Sequence, residues 1–318
     1  MSFSSEVKEE IARIISPARH CQIAEIAAII SLCGRVQISE FDTYKLLIQT
    51  ENAGVARKYY SLLKKAFQIT ASIIIKRNLY LKKSHTYLVK IDDHEQAVKV
   101  LQAIKLMDPY GQIQEEFSQI THFVLQRDCC KRAFIRGAFL ASGSISDPEK
   151  NYHFEIVCTN EEKAKQLQEI MNTFHLDAKI VLRKKYYVVY IKEGARLVDI
   201  LNVMEAHVAL MKLENVRILK DMRNSVNRRV NCETANINKT VSAAMKQVED
   251  IKYIQDTIGF SELSEGLAEI AKLRLSQPEA TLKELGSMLN PPVGKSGVNH
   301  RLRKLSNIAD DLRASQES

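Results

Sequence analysis

The side chains best suited to chemistry lie near the C-terminal end of the chain, in Lys295-Ser-Gly-Val-Asn-His-Arg-Leu-Arg-Lys-Leu305. Asn299, His300, Arg301, Arg303 and Lys304 bring amide, imidazole and cationic donors into six residues. Those groups suit base edges and phosphates better than mere solubility requires. Just upstream, in Thr281-Leu-Lys-Glu-Leu-Gly-Ser-Met-Leu289, Thr281 and Glu284 stand at the spacing of a reciprocal capping box, which predicts a helix start. Ser296 is expected to cap a second helix, along which Val298, Leu302, Leu305 and Ile308 recur at helical spacing. Two short helices, the second polar and basic, form the helix-turn-helix arrangement over about 280–313, whose second helix lies in the major groove of double-stranded DNA. The candidate contacts are Thr281, Lys283, Lys295, Ser296, Asn299, His300, Arg301, Arg303 and Lys304. The competing reading is a small three-helix bundle with a basic surface.

Other chemistry finds less support. Gly294-Lys295-Ser296 resembles the end of a phosphate-binding loop, but Leu289 stands where the first glycine is needed and a helix precedes it. No Gly-x-Ser-x-Gly or His-Glu-x-x-His occurs. The six cysteines (21, 33, 129, 130, 158 and 232) include no Cys-x-x-Cys and no cluster spaced with histidine. The expectation is a reduced, intracellular protein with no metal, no cofactor and no small-molecule substrate. No apolar run approaches the roughly 20 residues that span a bilayer, so no membrane partner is expected. Lysine and arginine number 46 against 38 acids, a net charge of +8. That excess favours an acidic partner without diagnosing one.

The elements that carry these residues fall into three parts. Residues 241–275 read as two helices split at Gly259. Residues 223–240 mix Asn227, Asn231, Asn236 and Asn238 with Arg228, Arg229 and Lys239, which reads as a polar linker able to touch phosphates. Residues 1–222 form the third part, and it is duplicated. A shift of 109 positions lays Cys21 on Cys130, Ala24 on Ala133, Ile26 on Ile135 and Gly34 on Gly143, with Glu40 on Glu149 and Thr50 on Thr159. The repeats span about 18–107 and 127–206, a period that indicates a duplicated half-domain. Each repeat predicts a small-residue-rich helix ending at glycine, then strands, a helix, a basic hairpin and a closing helix. The hairpins carry Lys76, Arg77, Lys82 and Lys83 in the first copy and Arg183, Lys184 and Lys185 in the second, as secondary candidates for phosphate contact.

The runs Ile26-Ala-Ala-Ile-Ile-Ser-Leu-Cys-Gly34 and Ile135-Arg-Gly-Ala-Phe-Leu-Ala-Ser-Gly143 resemble the LAGLIDADG motif of homing endonucleases. The resemblance implies two central helices about a pseudo-twofold axis, in an α-β-β-α-β-β-α order. In active nucleases of that kind the eighth motif position is acidic and holds divalent metal. Here it reads Cys33 and Ser142, so no catalytic residue is expected. The fold class is therefore α+β: a duplicated LAGLIDADG-like pseudodimer followed by an all-α helix-turn-helix domain.

Over nearly its full length the chain also resembles the WhiA family of bacterial regulators. The opening Ser2-Phe-Ser-Ser-Glu-Val-Lys-Glu-Glu10, the run Phe134 to Gly143, Asn227-Arg-Arg-Val-Asn-Cys-Glu-Thr-Ala-Asn236 and the final segment carry that resemblance. It implies a DNA-binding protein of the cytoplasm and nucleoid, tied to sporulation-related transcription or to cell division and chromosome segregation. Another transcription or division protein would be its second partner. An interaction scaffold on a dead nuclease fold and an active metal-dependent nuclease are the alternatives.

Overall fold

The computed structural model describes residues 2–39, 43–77, 85–108, 110–113 and 123–316. They fall into two compact units, Met1–Lys220 and Asp221–Ser318.

The first unit opens with α1 (Phe3–Arg13), whose N-cap Ser2 accepts from the Ser5 backbone and whose inner face buries Phe3, Val7 and Ile11. Two copies of one arrangement follow. The first runs α2 (Arg19–Cys33), β1 (Gly34–Ile38), β2 (Tyr44–Thr50), α3 (Ala53–Phe67), β3 (Ser72–Arg77), β4 (His85–Ile91) and α4 (His94–Ala103). The second runs α5 (Asp128–Ser142), β5 (Gly143–Ile145), β6 (Phe154–Cys158), α6 (Glu161–Asn172), β7 (Lys179–Arg183), β8 (Tyr186–Ile191) and α7 (Gly194–Val203). Each copy builds a four-stranded antiparallel sheet of the same order, β1-β2-β4-β3 and β5-β6-β8-β7. Asn52, Asp93 and Asn160 cap α3, α4 and α6 with their side chains, as turn-favouring residues do at orphan N–H groups.

The sheets bury one side. Leu46 and Ile48 pair with Ile91 and Val89 in the first, and Phe154 and Ile156 with Ile191 and Val189 in the second. All eight side chains are buried, as alternation on a half-covered sheet requires. Between the repeats lie α2 and α5, and both are buried on nearly every side. Their close approach rests on small residues. A Cβ built on Gly137 would lie 2.6 Å from the Glu25 carbonyl oxygen and 3.0 Å from Ala28 Cβ, so only glycine fits there.

Sequence periodicity did not reveal the charges inside this helix pair. Glu25 of α2 is fully buried and meets Lys58 of α3 at 2.7 Å and Arg136 of α5 at 3.1 Å. Arg136 reaches on to Glu205 at 2.8 Å. The Lys58 ammonium also donates to the Ile11 carbonyl at 2.9 Å and to that of Ile14. A buried carboxylate is tolerable only with such partners.

After α7 comes α8 (His207–Thr257), a single helix of 51 residues. It overturns the expectation of a polar linker over 223–240. Asparagine and threonine cost only fractions of a kcal/mol each in a helix, and residues 207–257 contain neither glycine nor proline to break one. Met222, Val226 and Val230, then Ile237, Val241 and Met245, also recur at helical spacing, although all six side chains are exposed. The break expected at Gly259 is present, with a positive φ of 74° at that residue. A 3-10 turn (Phe260–Glu262), α9 (Glu265–Ser276), α10 (Leu282–Met288) and α11 (Lys295–Gln316) complete the second unit.

Candidate nucleic-acid interface

The core of the second unit orients the face that carries the candidate contacts. Ile251 and Ile254 of α8, Leu267, Ile270 and Ala271 of α9, Leu285 of α10 and Leu289 just beyond it close around Val298, Leu302, Leu305 and Ala309 of α11. Burying those four residues turns the intervening positions outward. Ser296, Asn299, His300, Arg303 and Lys304 are all exposed, and their i, i+3, i+4 spacing makes them one stripe. From Lys295 to Ala309 the helix carries Lys295, Arg301, Arg303 and Lys304 and no acid.

The capping box read from the sequence is present: Thr281 Oγ1 accepts from the Glu284 backbone at 3.3 Å, and Glu284 accepts from the Thr281 backbone at 2.7 Å. Those bonds hold the Glu284 carboxyl below its usual range. Thr281 and Lys283 are exposed at the start of α10. Gly286 gives room chiefly to the connecting loop. A Cβ there would sit 2.1 Å from the Val293 carbonyl oxygen, and the Val293 N–H donates to the Gly286 carbonyl at 2.9 Å.

One expectation fails at this motif, and one candidate differs in placement from the rest. Ser296 does not cap the second helix, because α11 already begins at Lys295 and the Val298 N–H donates to the Gly294 carbonyl. Arg301 is placed apart from the exposed candidates. It is half-buried, and its guanidinium donates to the Gly266 carbonyl of α9 at 3.4 Å. One turn of α11 places it on the flank between the stripe and the core.

The sequence reading also missed two residues that hold the motif in place. Arg274 is buried at the inward spacing of Leu267, Ile270 and Ala271. It donates to Gln247 Oε1 at 3.1 and 2.8 Å and to the Ala280 carbonyl at 2.7 Å, tying α8, α9 and the approach to α10 together. Asp250 of α8 accepts from Arg313 of α11 at 2.8 Å. An arginine at a core-facing position was the legible signal.

The secondary candidates do not form one set. Lys76 and Arg77 are exposed on β3, and Lys82 and Lys83 lie outside the described residues. Arg183 is paired with Glu155 at 3.0 Å, and Lys185 lies over the ring of Tyr186. Lys184 occupies the tight turn between β7 and β8 with φ of 56°. Arg228, Arg229 and Lys239 are exposed on α8, where Arg229 approaches Glu233 at 3.6 Å.

At the motif ends the chemistry differs from that of a metal-dependent nuclease. Burial pushes the Cys33 thiol up to about 12, against the influence of Lys8, and the thiol donates to the Ile29 carbonyl at 3.2 Å. Ser142 Oγ is buried and has no hydrogen-bond partner among the described residues. Neither supplies the anionic oxygen that magnesium requires. Elsewhere the structure corrects the reading that cysteine and histidine do not cluster: His20, Cys21, Cys129 and Cys130 converge. Among the described residues, no helix is long and apolar enough to cross a membrane.

Comparison with known proteins gives a consistent picture. Residues 19–107 match the family description "WhiA N-terminal LAGLIDADG-like domain", residues 131–223 match "WhiA LAGLIDADG-like domain" and residues 226–309 match "WhiA C-terminal HTH domain". A "Probable cell division protein WhiA" of Lachnoclostridium phytofermentans is 59% identical over 313 residues, covering 98% of this chain and 100% of that protein. One of the same name from Alkaliphilus oremlandii is 49% identical over 313 residues, covering 98% of each chain. The crystal structure of full-length DUF199/WhiA from Thermatoga maritima aligns over 98% of this chain and 99% of its own, at 23% identity and a TM-score of 0.59. That likeness speaks for the fold.

Proposed function

This chain belongs to the WhiA family, and from that membership we propose that it is a non-enzymatic protein that reads double-stranded DNA through its second unit. The observation that carries the reading is the acid-free, solvent-facing stripe Ser296, Asn299, His300, Arg303 and Lys304 on the second helix of the terminal motif. Asn299 lies in the first turns of α11, where side chains reach base edges most readily. Lys295, Thr281 and Lys283 flank it and suit phosphates. With relatives named as cell division proteins, the role we infer is transcriptional regulation or chromosome association in division and chromosome segregation, within the nucleoid. We place the domain limits at 1–222 and 241–318, with the intervening stretch as helix.

The first unit serves as scaffold and as the docking point for a transcription or division protein. Its β3 strand, with Ile73, Ile74 and Ile75 all exposed, favours that part of the reading. A nuclease would need carboxylates where Cys33 and Ser142 stand. The test is footprinting of the full chain on genomic fragments, followed by competition binding at several salt concentrations. Selective protection that Asn299→Ala weakens relative to competitor DNA is the expected result. Protection unaffected by changes along the α11 stripe would move the reader to the hairpins or α8.

A further inference from the structure

The convergence of His20, Cys21, Cys129 and Cys130 has no place in DNA reading, and it does not belong to the motif ends at Cys33 and Ser142. His20 and Cys21 lie in the first turn of α2, Cys129 and Cys130 in the first turn of α5. Under the 109-residue repeat His20 is the counterpart of Cys129, and Cys21 that of Cys130. The four ligand atoms are therefore two equivalent pairs, brought together where the helices begin. His20 Nδ1 lies 3.2 Å from Cys130 Sγ and 3.3 Å from Cys21 Sγ. All four ligand atoms lie within 4.8 Å of one another.

We propose that these residues form a Cys3His site for zinc or a cation of the same borderline-soft class, joining the two repeats at the N-terminal ends of α2 and α5. Zinc–sulfur bonds of about 2.3 Å and zinc–nitrogen bonds of about 2.0 Å put tetrahedral ligands roughly 3.5–3.8 Å apart. The two nitrogen–sulfur distances, 3.2 and 3.3 Å, are a few tenths of an ångström shorter than that range, and no separation in the cluster exceeds it by more than about 1 Å. Cys129 is the exposed member among the three cysteines of the cluster, with the most room to adjust. Three thiols and an imidazole exclude magnesium and calcium, which take oxygen ligands, and select zinc-like ions. Cys21 and Cys130 are buried, so the metal would have a dry shell on one side and an entry path on the other.

Binding has a defined proton balance. Each coordinating thiol gives its proton to solvent, and the imidazole ligates in its neutral form through Nδ1. The ring proton then resides on Nε2, which faces the Arg127 guanidinium at 3.4 Å. Arg127 is exposed, so it is free to turn into solvent when that nitrogen becomes a donor. Because the four ligands come from both repeats, occupancy favours the packed helix pair and raises the thermal stability of the first unit.

The experiment uses the full chain, purified under reductant, stripped with chelator and titrated with cobalt(II) as a spectroscopic probe. We expect thiolate-to-cobalt charge-transfer and tetrahedral ligand-field bands that saturate at one cobalt per chain and vanish on adding zinc. The melting temperature of the first unit rises as zinc is added. Cys129→Ser, at an exposed position that does not threaten the core, weakens cobalt binding by at least about tenfold, as loss of a direct ligand should exceed the outer-shell effects. Cys129→His retains binding, whereas Cys232→Ser, which changes an exposed thiol on α8, has no effect. Absence of thiolate–cobalt bands in the reduced chain would overturn the site. So would bands that survive Cys129→Ser combined with Cys130→Ser, or a chain that takes up no metal and is instead isolated with a Cys21–Cys130 disulfide.

Discussion

Replacing Gly137 with leucine tests the helix pair on which the first unit is built. A side chain at this position starts from a Cβ 2.6 Å from the Glu25 carbonyl oxygen, where carbon–oxygen contacts normally stand at about 3.3 Å or more. It also starts 3.0 Å from Ala28 Cβ, against roughly 3.5–4.0 Å for carbon pairs at optimal separation. The helices must then part by about 0.7 Å for the first carbon alone, and leucine adds three more. Overpacking of this kind costs roughly 1–3 kcal/mol, and removing glycine from a helix interior returns about 0.8 kcal/mol. The net loss is about 0.2–2.2 kcal/mol, which lowers the melting temperature of a unit this size by up to roughly 9 °C. Calorimetry of the full chain reads it, with the two units treated as separate transitions. Gly266→Ala is the control, since its Cβ would meet only the guanidinium end of Arg301, at an ordinary contact distance of 3.4 Å, and the second transition should hold or rise. A first transition unmoved by Gly137→Leu would refute the close-packed pair.

Three further outcomes follow from the same geometry. Glu25→Gln removes the charge that pairs Lys58 and Arg136 in the interior and should cost about 3–5 kcal/mol, measured by denaturant unfolding; a loss under 1 kcal/mol would mean the network is solvated. Asn299→Ala should reduce discrimination between DNA sites by about 1–3 kcal/mol if its contact is bidentate, while Lys304→Ala weakens all sequences alike and lowers the salt slope by about one ion. Incubation of plasmid with the chain and magnesium or manganese should give no nicked product, because Cys33 and Ser142 cannot assemble an anionic metal site; nicking that disappears on changing Asp147 would reverse that conclusion.

Much of the architecture was legible because local rules and global fold agree. The α2 and α5 boundaries follow from apolar runs closed by Gly34 and Gly143, and the α10 start from Thr281 and Glu284. Reading failed where one residue type admits two states. The asparagines of 223–240 suggested a linker by their preference for turns, but no glycine or proline stood there to enforce it. The hydrogen bond from Arg301 to Gly266 was likewise hidden, because only the register of α11 against α9 brings the two together. Glu25 and Arg136 were illegible as a pair because 111 residues separate them, and nothing local marks a charge that will be buried.

The duplication explains why the cysteine cluster was equally hidden. A repeat alignment establishes that two positions are equivalent, and it leaves open whether the fold holds them apart or brings them together. Positions far from a pseudo-twofold axis stay apart from their counterparts, and the basic hairpins belong to separate sheets. Positions beside the axis meet their own counterparts. Ala28 and Gly137 are 109 apart and touch, and His20 with Cys21 meets Cys129 with Cys130 at the same offset. Near such an axis one modest residue is presented twice, so two adjacent ligands in each copy can furnish a four-ligand site with no local Cys-x-x-Cys. For duplicated chains, the residues to examine for metal chemistry are therefore those on the paired helices, taken together with their repeat counterparts. By that rule Cys33 and Ser142 mark an end of the helix pair without anionic ligands, and the proposed site takes the His20 end.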